Sequence, residues 1–364
     1  MNQVLMYILA AGVILGGIDR LLGNKWGYGK RMEEGFLFMG PTALSMVGIM
    51  CLVPFLSDTL GKVIVPLFEL FHIDPAMFGG FLPIDMGGYQ LAKSLETSAS
   101  TGNYAGIIVS ATFGCTLVFT IPVGMGLIEN EDRSFFAEGL LIGLVTLPLG
   151  LIFGAVLCGV PFLNALWQTI PVFLLSIFLG IGLKYFPAKI IRGFGLFASG
   201  LKAIITIGLV LGAVTYLTGI SILPNLSPIQ DALAGVASIG ITMLGSLPAA
   251  EFLQRILRRP FAWIGARLGI NAFSMVGLLV GAVSAIPQLA MMKDMDPLGK
   301  RINAAYIVCA TSMLAAHAGF TLSTEPSMLA PLFASKTVAA LSGAILAFLF
   351  YRRKQSCESN KTNT

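Results

Sequence analysis

Apolar blocks of about 20 residues recur from one end of the chain to the other, the length a helix needs to cross a hydrocarbon core about 30 Å thick. Blocks at 35–55, 104–128, 136–159, 162–186 and 203–220 are examples. Inside a bilayer each backbone N–H and C=O must be paired within the protein, so such blocks fold as helices rather than as open strands. Charge agrees. Charged residues make up 11% of the 364, where soluble domains carry about 25%. The chain is expected to be an all-α polytopic membrane protein.

The net charge of +5 does not point to nucleic acid, because Lys and Arg fall between the apolar blocks, where the positive-inside bias places them. Cys51, Cys115, Cys158, Cys309 and Cys357 form no CxxC pair, and four of them lie in apolar blocks as small buried residues do. The start, Met-Asn-Gln-Val, lacks the basic region of a cleaved signal, so 4–22 is expected to be a retained helix. Residues 352–364 are expected to be a disordered cytoplasmic tail.

The chain aligns with itself. A shift of 197 residues matches Met46 with Met243, Gly48 with Gly245, Phe55 with Phe252, Leu56 with Leu253, Gly80 with Gly277 and Leu82 with Leu279. A shift of 193 continues the match through Ser134/Ser327, Ala137/Ala330, Gly150/Gly343 and Ile152/Ile345. Both halves run in the same order. A long helix comes first, then an amphipathic basic stretch near a membrane surface (55–73 and 252–270), then a hydrophobic segment interrupted midway. The interrupted segments are FGGFLPIDMGGYQLAKSL at 78–95 and NAFSMVGLLVGAVSAIPQLAMM at 271–292. Repeat 1 occupies 1–160 and repeat 2 occupies 190–351, with 161–189 a linking transmembrane helix.

Loop charge distinguishes full crossings from re-entrant hairpins. Eleven crossings distribute the loop Lys and Arg 11 to 9 across the membrane. If both interrupted segments enter and leave on one side, the distribution becomes 18 to 2, with Lys62 and Lys93 alone outside. The second arrangement is what the positive-inside rule expects. It predicts nine crossings plus two hairpins, the N-terminus outside and the C-terminus inside, with eleven crossings as the alternative. The two repeats then have inverted topology, the architecture of secondary transporters with discontinuous helices at the midplane.

Asp85 leads the candidate site residues. A carboxylate at membrane depth costs several kcal/mol unless it meets a cation, water or donors. Pro83 frees a carbonyl, and Gly87 and Gly88 let the chain bend. Carboxylate plus half-helix carbonyls suits a small cation, while the plainer role for Asp85 is to cap the second half-helix through the Gly87 or Gly88 amide. Ser284 falls at the second hairpin tip with Gln288 one turn on; both either bond a substrate hydroxyl or join helices. Tyr89 faces an ammonium or serves packing. His317, in AAHAGFT, bonds substrate, passes a proton or is a satisfied core histidine. Lys202 and Lys336 either snorkel or pair with carbonyls. Asp19 and Arg20 are expected to form a surface pair, and Asn164, Gln168 and Thr169 to bond within the bundle.

The signatures HExxH, GxSxG and GxxxxGK[ST] are lacking, and His72 and His317 with no cysteine pair leave little for a metal site. An enzyme, a cofactor and nucleic acid are therefore not expected. A transporter of a small solute is, with Na⁺ or H⁺ as coupling ion left open.

Four stretches, EEGFLFMG, IDMGGYQLAKSL, MMKDMDPLGKRINAA and AHAGFT, resemble the corresponding stretches of the ethanolamine utilisation permease family (EutH-type). The similarity runs from about Glu33 to Tyr351. The resemblance implies a permease of the bacterial inner membrane that takes up ethanolamine, with the lipid bilayer as its surroundings and a homo-oligomer left open. Asp85, Gly87 and Gly88 lie in the matching motif. Held this way, ethanolamine would place its ammonium on Asp85 and its hydroxyl on Ser284, Gln288 or His317.

Overall fold

The computed structural model describes residues 2–82 and 85–362; Pro83 and Ile84 lie outside the described residues, as does the side chain of Asp85. The described residues form helices and connecting turns, with no strand among them. Helix α1 (Asn2–Leu21) is followed by a short α2 (Tyr28–Leu37) and the long α3 (Met39–Leu70). A pair of short helices, α4 (Ala76–Phe81) and α5 (Gly88–Leu95), leads into α6 (Ala99–Leu127). Next come α7 (Arg133–Leu157), α8 (Phe162–Tyr185), α9 (Pro187–Thr218) and α10 (Ile229–Leu268). A second short pair, α11 (Ala272–Val283) and α12 (Ala285–Ala290), leads into α13 (Pro297–Ala310), α14 (Ala316–Thr324) and α15 (Leu329–Thr362).

Seven helical segments among the described residues are long and apolar enough to cross a membrane: Tyr28–Leu70, Ala99–Leu127, Asn130–Leu157, Phe162–Leu183, Ala188–Thr218, Ile229–Leu268 and Pro326–Arg352. Nine crossings are expected from the sequence, and the difference has two sources. The expected crossing at 4–22 is the 20-residue α1, which is not among the seven. The other is broken at 311–315 into the 14-residue α13 and the 9-residue α14, each too short to cross alone.

The amphipathic stretches differ from expectation. They are not separate helices; 55–70 and 252–268 continue α3 and α10 without interruption. With 32 and 40 residues these helices extend about 48 and 60 Å at 1.5 Å per residue. Pro54 and Pro66 sit within α3, and Pro248 and Pro260 within α10. Proline removes one helical hydrogen bond and bends a helix that tertiary contacts hold on both sides.

Glycines seat the long helices on one another. A Cβ on Gly12 of α1 would strike the Gly245 carbonyl oxygen of α10. Likewise, a Cβ on Gly208 of α9 would strike the Gly48 carbonyl oxygen of α3. Gly48 and Gly245 are the two residues that the 197-residue shift aligns. Helices α7 and α15 show the same correspondence: a Cβ on Gly150 would lie 2.5 Å from that of Ala339, one on Gly154 2.7 Å from that of Ser335, and one on Gly343 3.0 Å from Thr146 Oγ1. As the number rises along α7 it falls along α15, so these helices pack antiparallel.

The core centres on α6, the most buried of the seven spans. Its Tyr104, Ile108 and Phe113 are inaccessible to solvent. Its middle, Tyr104–Gly114 and Thr116–Thr120, is wound wider than an α-helix, with i→i+5 bonds. Threonine hydroxyls take up carbonyls there: Thr112 Oγ1 donates to Ile108 O at 2.6 Å and Thr116 Oγ1 to Thr112 O at 2.8 Å. Wide turns within helices are frequent at functional sites.

At one end of the bundle, Asp19 and Arg20 do not pair with each other. Adjacent residues on a helix point in different directions. Asp19 is buried and accepts from the Trp26 and Gly29 amides at 2.8 and 2.9 Å, while Arg20 pairs with Glu33 at 2.8 Å.

Candidate functional site

Each short pair folds back on itself because glycine permits close backbone approach. In the first pair, a Cβ on Gly79 of α4 would lie 2.6 Å from the Ala92 amide nitrogen of α5, and one on Gly88 would strike the Gly79 carbonyl. Both helices lie against α6, where Gly80 meets Ala105 O at 2.6 Å and Gly106 meets Tyr89 Cα at 2.9 Å by the same measure. The two ends of the pair meet at an aspartate. Asp74 accepts from the Thr97 hydroxyl, from the Thr97 amide at 3.3 Å and from the Ala76 amide at 2.9 Å. Its own N–H donates to Gln168 Oε1 at 2.9 Å. The chain therefore enters and leaves this pair at one level.

The second pair closes in the same way. Asp296 accepts from the Asn271 amide at 3.0 Å, the Ser274 hydroxyl at 2.7 Å and the Gly299 amide at 3.0 Å. A polar cavity of about 430 Å³ opens at the Asp74 base, with Glu69, His72, Thr97, Ser100 and Asn164 in its wall.

At both tips, the described residues that join the two helices are buried or half-buried. In the first, α4 ends at Phe81 and a single tight turn, Asp85–Gly87, precedes α5. The role expected of the Asp85 side chain lies outside the described residues. Gly87 and Gly88 are buried, and Gly88 is required by its contact with Gly79. Tyr89 is buried and meets Phe320 of α14 edge to face, with centroids 5.8 Å apart. In the second tip, Ser284 is an extended, half-buried residue between α11 and α12. Gln288 lies fully inside and donates to Asn303 Oδ1 at 2.7 Å. Asn303 in turn donates to Ser274 O and Gly299 O at 2.8 and 2.9 Å, so this amide chain fastens the pair to α13. Gln288 Oε1 is buried and accepts no hydrogen bond from a described residue.

Beside the second tip lies the break of α13 and α14. Ser312 adopts φ of +55°, a left-handed conformation that costs a non-glycine residue free energy. The Leu314 amide donates to Ala282 O at 2.9 Å, joining the break to the second tip. His317, in the first turn of α14, is buried, and its amide donates to Ser312 O at 3.1 Å. Phe320, one turn on, joins the same helix to the first tip through Tyr89. The structure thus places Tyr89 against α14, Ser284 in the tip whose Ala282 carbonyl bonds the α13–α14 break, and His317 in the first turn of α14, and it ties Gln288 to Asn303.

Lys336 of α15 takes up the carbonyl choice among its two expected roles. It is inaccessible to solvent and donates through Nζ to Ala111 O at 2.7 Å, Cys309 O at 2.8 Å and Thr311 O at 3.2 Å. Lys202 is exposed. Thr169 bonds Tyr104 across the bundle at 3.0 Å, and Glu138 pairs with Arg301 at 2.6 Å. Among the described residues no three His, Cys, Asp or Glu side chains group as a metal site.

A family model described as "Ethanolamine utilisation protein, EutH" matches residues 1–350. Three similar proteins carry the name "Probable ethanolamine permease EutH". That of Listeria monocytogenes is 34% identical over 100% of this chain and 98% of its own length. That of Salmonella typhimurium is 34% identical over 98% and 97%, and that of Escherichia coli K12 34% identical over 99% and 98%. No solved structure matches. The chain is therefore a multi-pass membrane protein that belongs to the EutH family of ethanolamine utilisation proteins, a family whose named members are permeases and not enzymes.

Proposed function

We propose that this chain carries ethanolamine across a bacterial inner membrane by alternating access around its two hairpin tips. One observation carries the reading: both short helix pairs are closed at the base by an aspartate, and the second tip bonds the strained turn before α14 while the first packs on α14 itself. Irregular backbone at such depth is tolerated where it lines a protein-enclosed or watery cavity. The names of the relatives supply the substrate.

The packing also supports an inverted repeat. Gly150 and Gly343 are 193 residues apart, as are Thr146 and Ala339, and the contacts exchange: Gly150 with Ala339, Gly343 with Thr146. Reciprocal contacts of this kind are the signature of a two-fold relation. Because α7 and α15 are antiparallel, that two-fold reverses one repeat against the other. Swapped pairing of α1 with α10 and of α3 with α9 follows the same symmetry.

Ethanolamine at neutral pH is a primary ammonium with one hydroxyl. Asp85 and the carbonyl end of α4 would take the ammonium, helped by the negative end of the helix dipole. Tyr89 would present its ring face to it. Ser284, the open acceptor Gln288 Oε1 and His317 would receive the hydroxyl. The polar cavity at Asp74 would be the route from outside to the first tip. Labelled ethanolamine uptake into proteoliposomes tests this: Asp85→Asn should abolish uptake at low concentration with protein levels unchanged. Unchanged uptake would remove Asp85 from the site, and no uptake by the parent protein would overturn the transport reading.

A further inference from the structure

The three carbonyl oxygens around Lys336 Nζ come from separate places. Cys309 O and Thr311 O belong to the end of α13, where the helix stops and its last carbonyls lack intrahelical partners. Ala111 O belongs to the wide-wound middle of α6. Thr311 Oγ1, on one of these residues, is fully buried and makes no hydrogen bond with a described residue. Unwound backbone carbonyls and half-helix C-terminal ends at the midplane are the oxygen set with which a secondary transporter holds a coupling cation. Here an ammonium on a side chain stands among them, at hydrogen-bond distance from each carbonyl.

We propose that Lys336 is a tethered cation that fills this carbonyl cage in place of a free one, and so acts as a positioning residue for the α13–α14 break and the second hairpin tip that meets it. The inference rests on the transport reading for its functional consequence but not for the cage itself. Two consequences follow. The parent protein needs no Na⁺ at this site. Removal of the lysine creates a site for a small cation, and the shape of that site is set by the atoms removed. Lys→Ala takes away three methylenes and the ammonium, so n-propylammonium restores the missing atoms, whereas ammonium and methylammonium restore less of the contact.

The test uses the full chain, purified and reconstituted, with Lys336→Ala and Lys336→Met. For the parent protein, replacing Na⁺ by N-methylglucamine at fixed pH and voltage should leave ethanolamine uptake unchanged. For Lys336→Ala, uptake per monodisperse molecule should fall at least about tenfold, the scale of losing hydrogen bonds to a charged donor. It should recover with propylammonium more than with methylammonium, while Lys336→Met, whose side chain still fills the space, should not recover. In detergent, propylammonium should raise the unfolding temperature of Lys336→Ala and not that of the parent, as binding to the folded state alone requires. The detergent measurement stands even if the chain does not carry ethanolamine. Na⁺-dependent uptake by the parent protein would overturn the proposal. So would Lys336→Ala molecules, fewer in number but each working at the parent rate, which is what a lysine with a purely structural role predicts. Absence of any chain-length-dependent stabilisation of Lys336→Ala would remove the cage.

Discussion

Gly150 on α7 and Ala339 on α15 meet so closely that a Cβ on the glycine would lie 2.5 Å from that of the alanine. Four residues along, the roles exchange, and Gly343 on α15 meets Thr146 on α7. Within a bilayer, helices gain little by hiding apolar surface from one another, so backbone approach at small residues holds them together. Here that approach is used twice, at positions 193 residues apart.

Substitution at either glycine should therefore have the same effect. Gly150→Leu and Gly343→Leu should each lower stability by about 1–3 kcal/mol or more, the usual cost of overpacking a tight contact. Thermal unfolding in detergent measures this. Gly126, with open space around it, is the control, and Gly126→Leu should unfold near the parent temperature.

The hairpin bases make a second matched pair. Asp74 and Asp296 each accept from two backbone amides and one side-chain hydroxyl. Hydrogen bonds to a charged group are worth about 1.5–3 kcal/mol each. Asp74→Ala and Asp296→Ala should each unfold at clearly lower temperature, and Thr97→Val should reproduce part of the Asp74→Ala loss. An Asp74→Ala protein as stable as its parent would show that the base contacts carry no weight.

The contact between Tyr89 and Phe320 joins the first hairpin to α14. An edge-to-face pair contributes about 0.5–1.5 kcal/mol beyond the area it buries. A double-mutant cycle of Tyr89→Leu and Phe320→Leu, read by unfolding temperature, should give a coupling of that size. Tyr89→Phe should keep the coupling, because the ring makes the contact. If Tyr89 also faces the substrate ammonium, Tyr89→Leu should raise the KM for ethanolamine by more than Phe320→Leu does.

Sequence reading recovered the parts of the structure that a residue type forces. Gly48, Gly245, Gly150 and Gly343 align at fixed shifts because a side chain on each would press on a neighbouring helix, and that constraint is visible in the letters. The interrupted segments were legible for the same reason, through Pro83, Gly87, Gly88, Gly281 and Pro287. The break at 311–315 was not. TSMLA contains neither proline nor glycine, and its unwinding depends on distant partners: Ala282 O for the Leu314 amide, and Lys336 for the carbonyls of Cys309 and Thr311. The continuity of α3 and α10 was hidden by the opposite error. The stretches from 55 and 252 read as separate amphipathic helices, but the chain stays helical through Pro54 and Pro248 where neighbouring helices hold it. Of the site, Tyr89 and His317 were legible as residues at depth, whereas the link of Gln288 to Asn303 joins segments 15 residues apart and left no local signal.

Sidedness follows from the hairpin bases. Asp74 holds Thr97 by its hydroxyl, so the chain before and after the first hairpin lies side by side, and the proposed topology puts both at one membrane surface. Were 78–95 a full crossing, Ser98 would lie opposite Asp74, and every loop from there to the second interrupted segment would change sides. Four exposed positions report this in a background without native cysteines: Ser98, Lys189, Asn225 and Arg259. With the N-terminus outside, the hairpin arrangement places Ser98→Cys and Asn225→Cys at the outer surface and Lys189→Cys and Arg259→Cys within the cell. A membrane-impermeant maleimide should label the first two in intact cells and the last two only after permeabilisation. Eleven full crossings reverse all four results, so the pattern across the set decides between the arrangements even if one position reacts poorly.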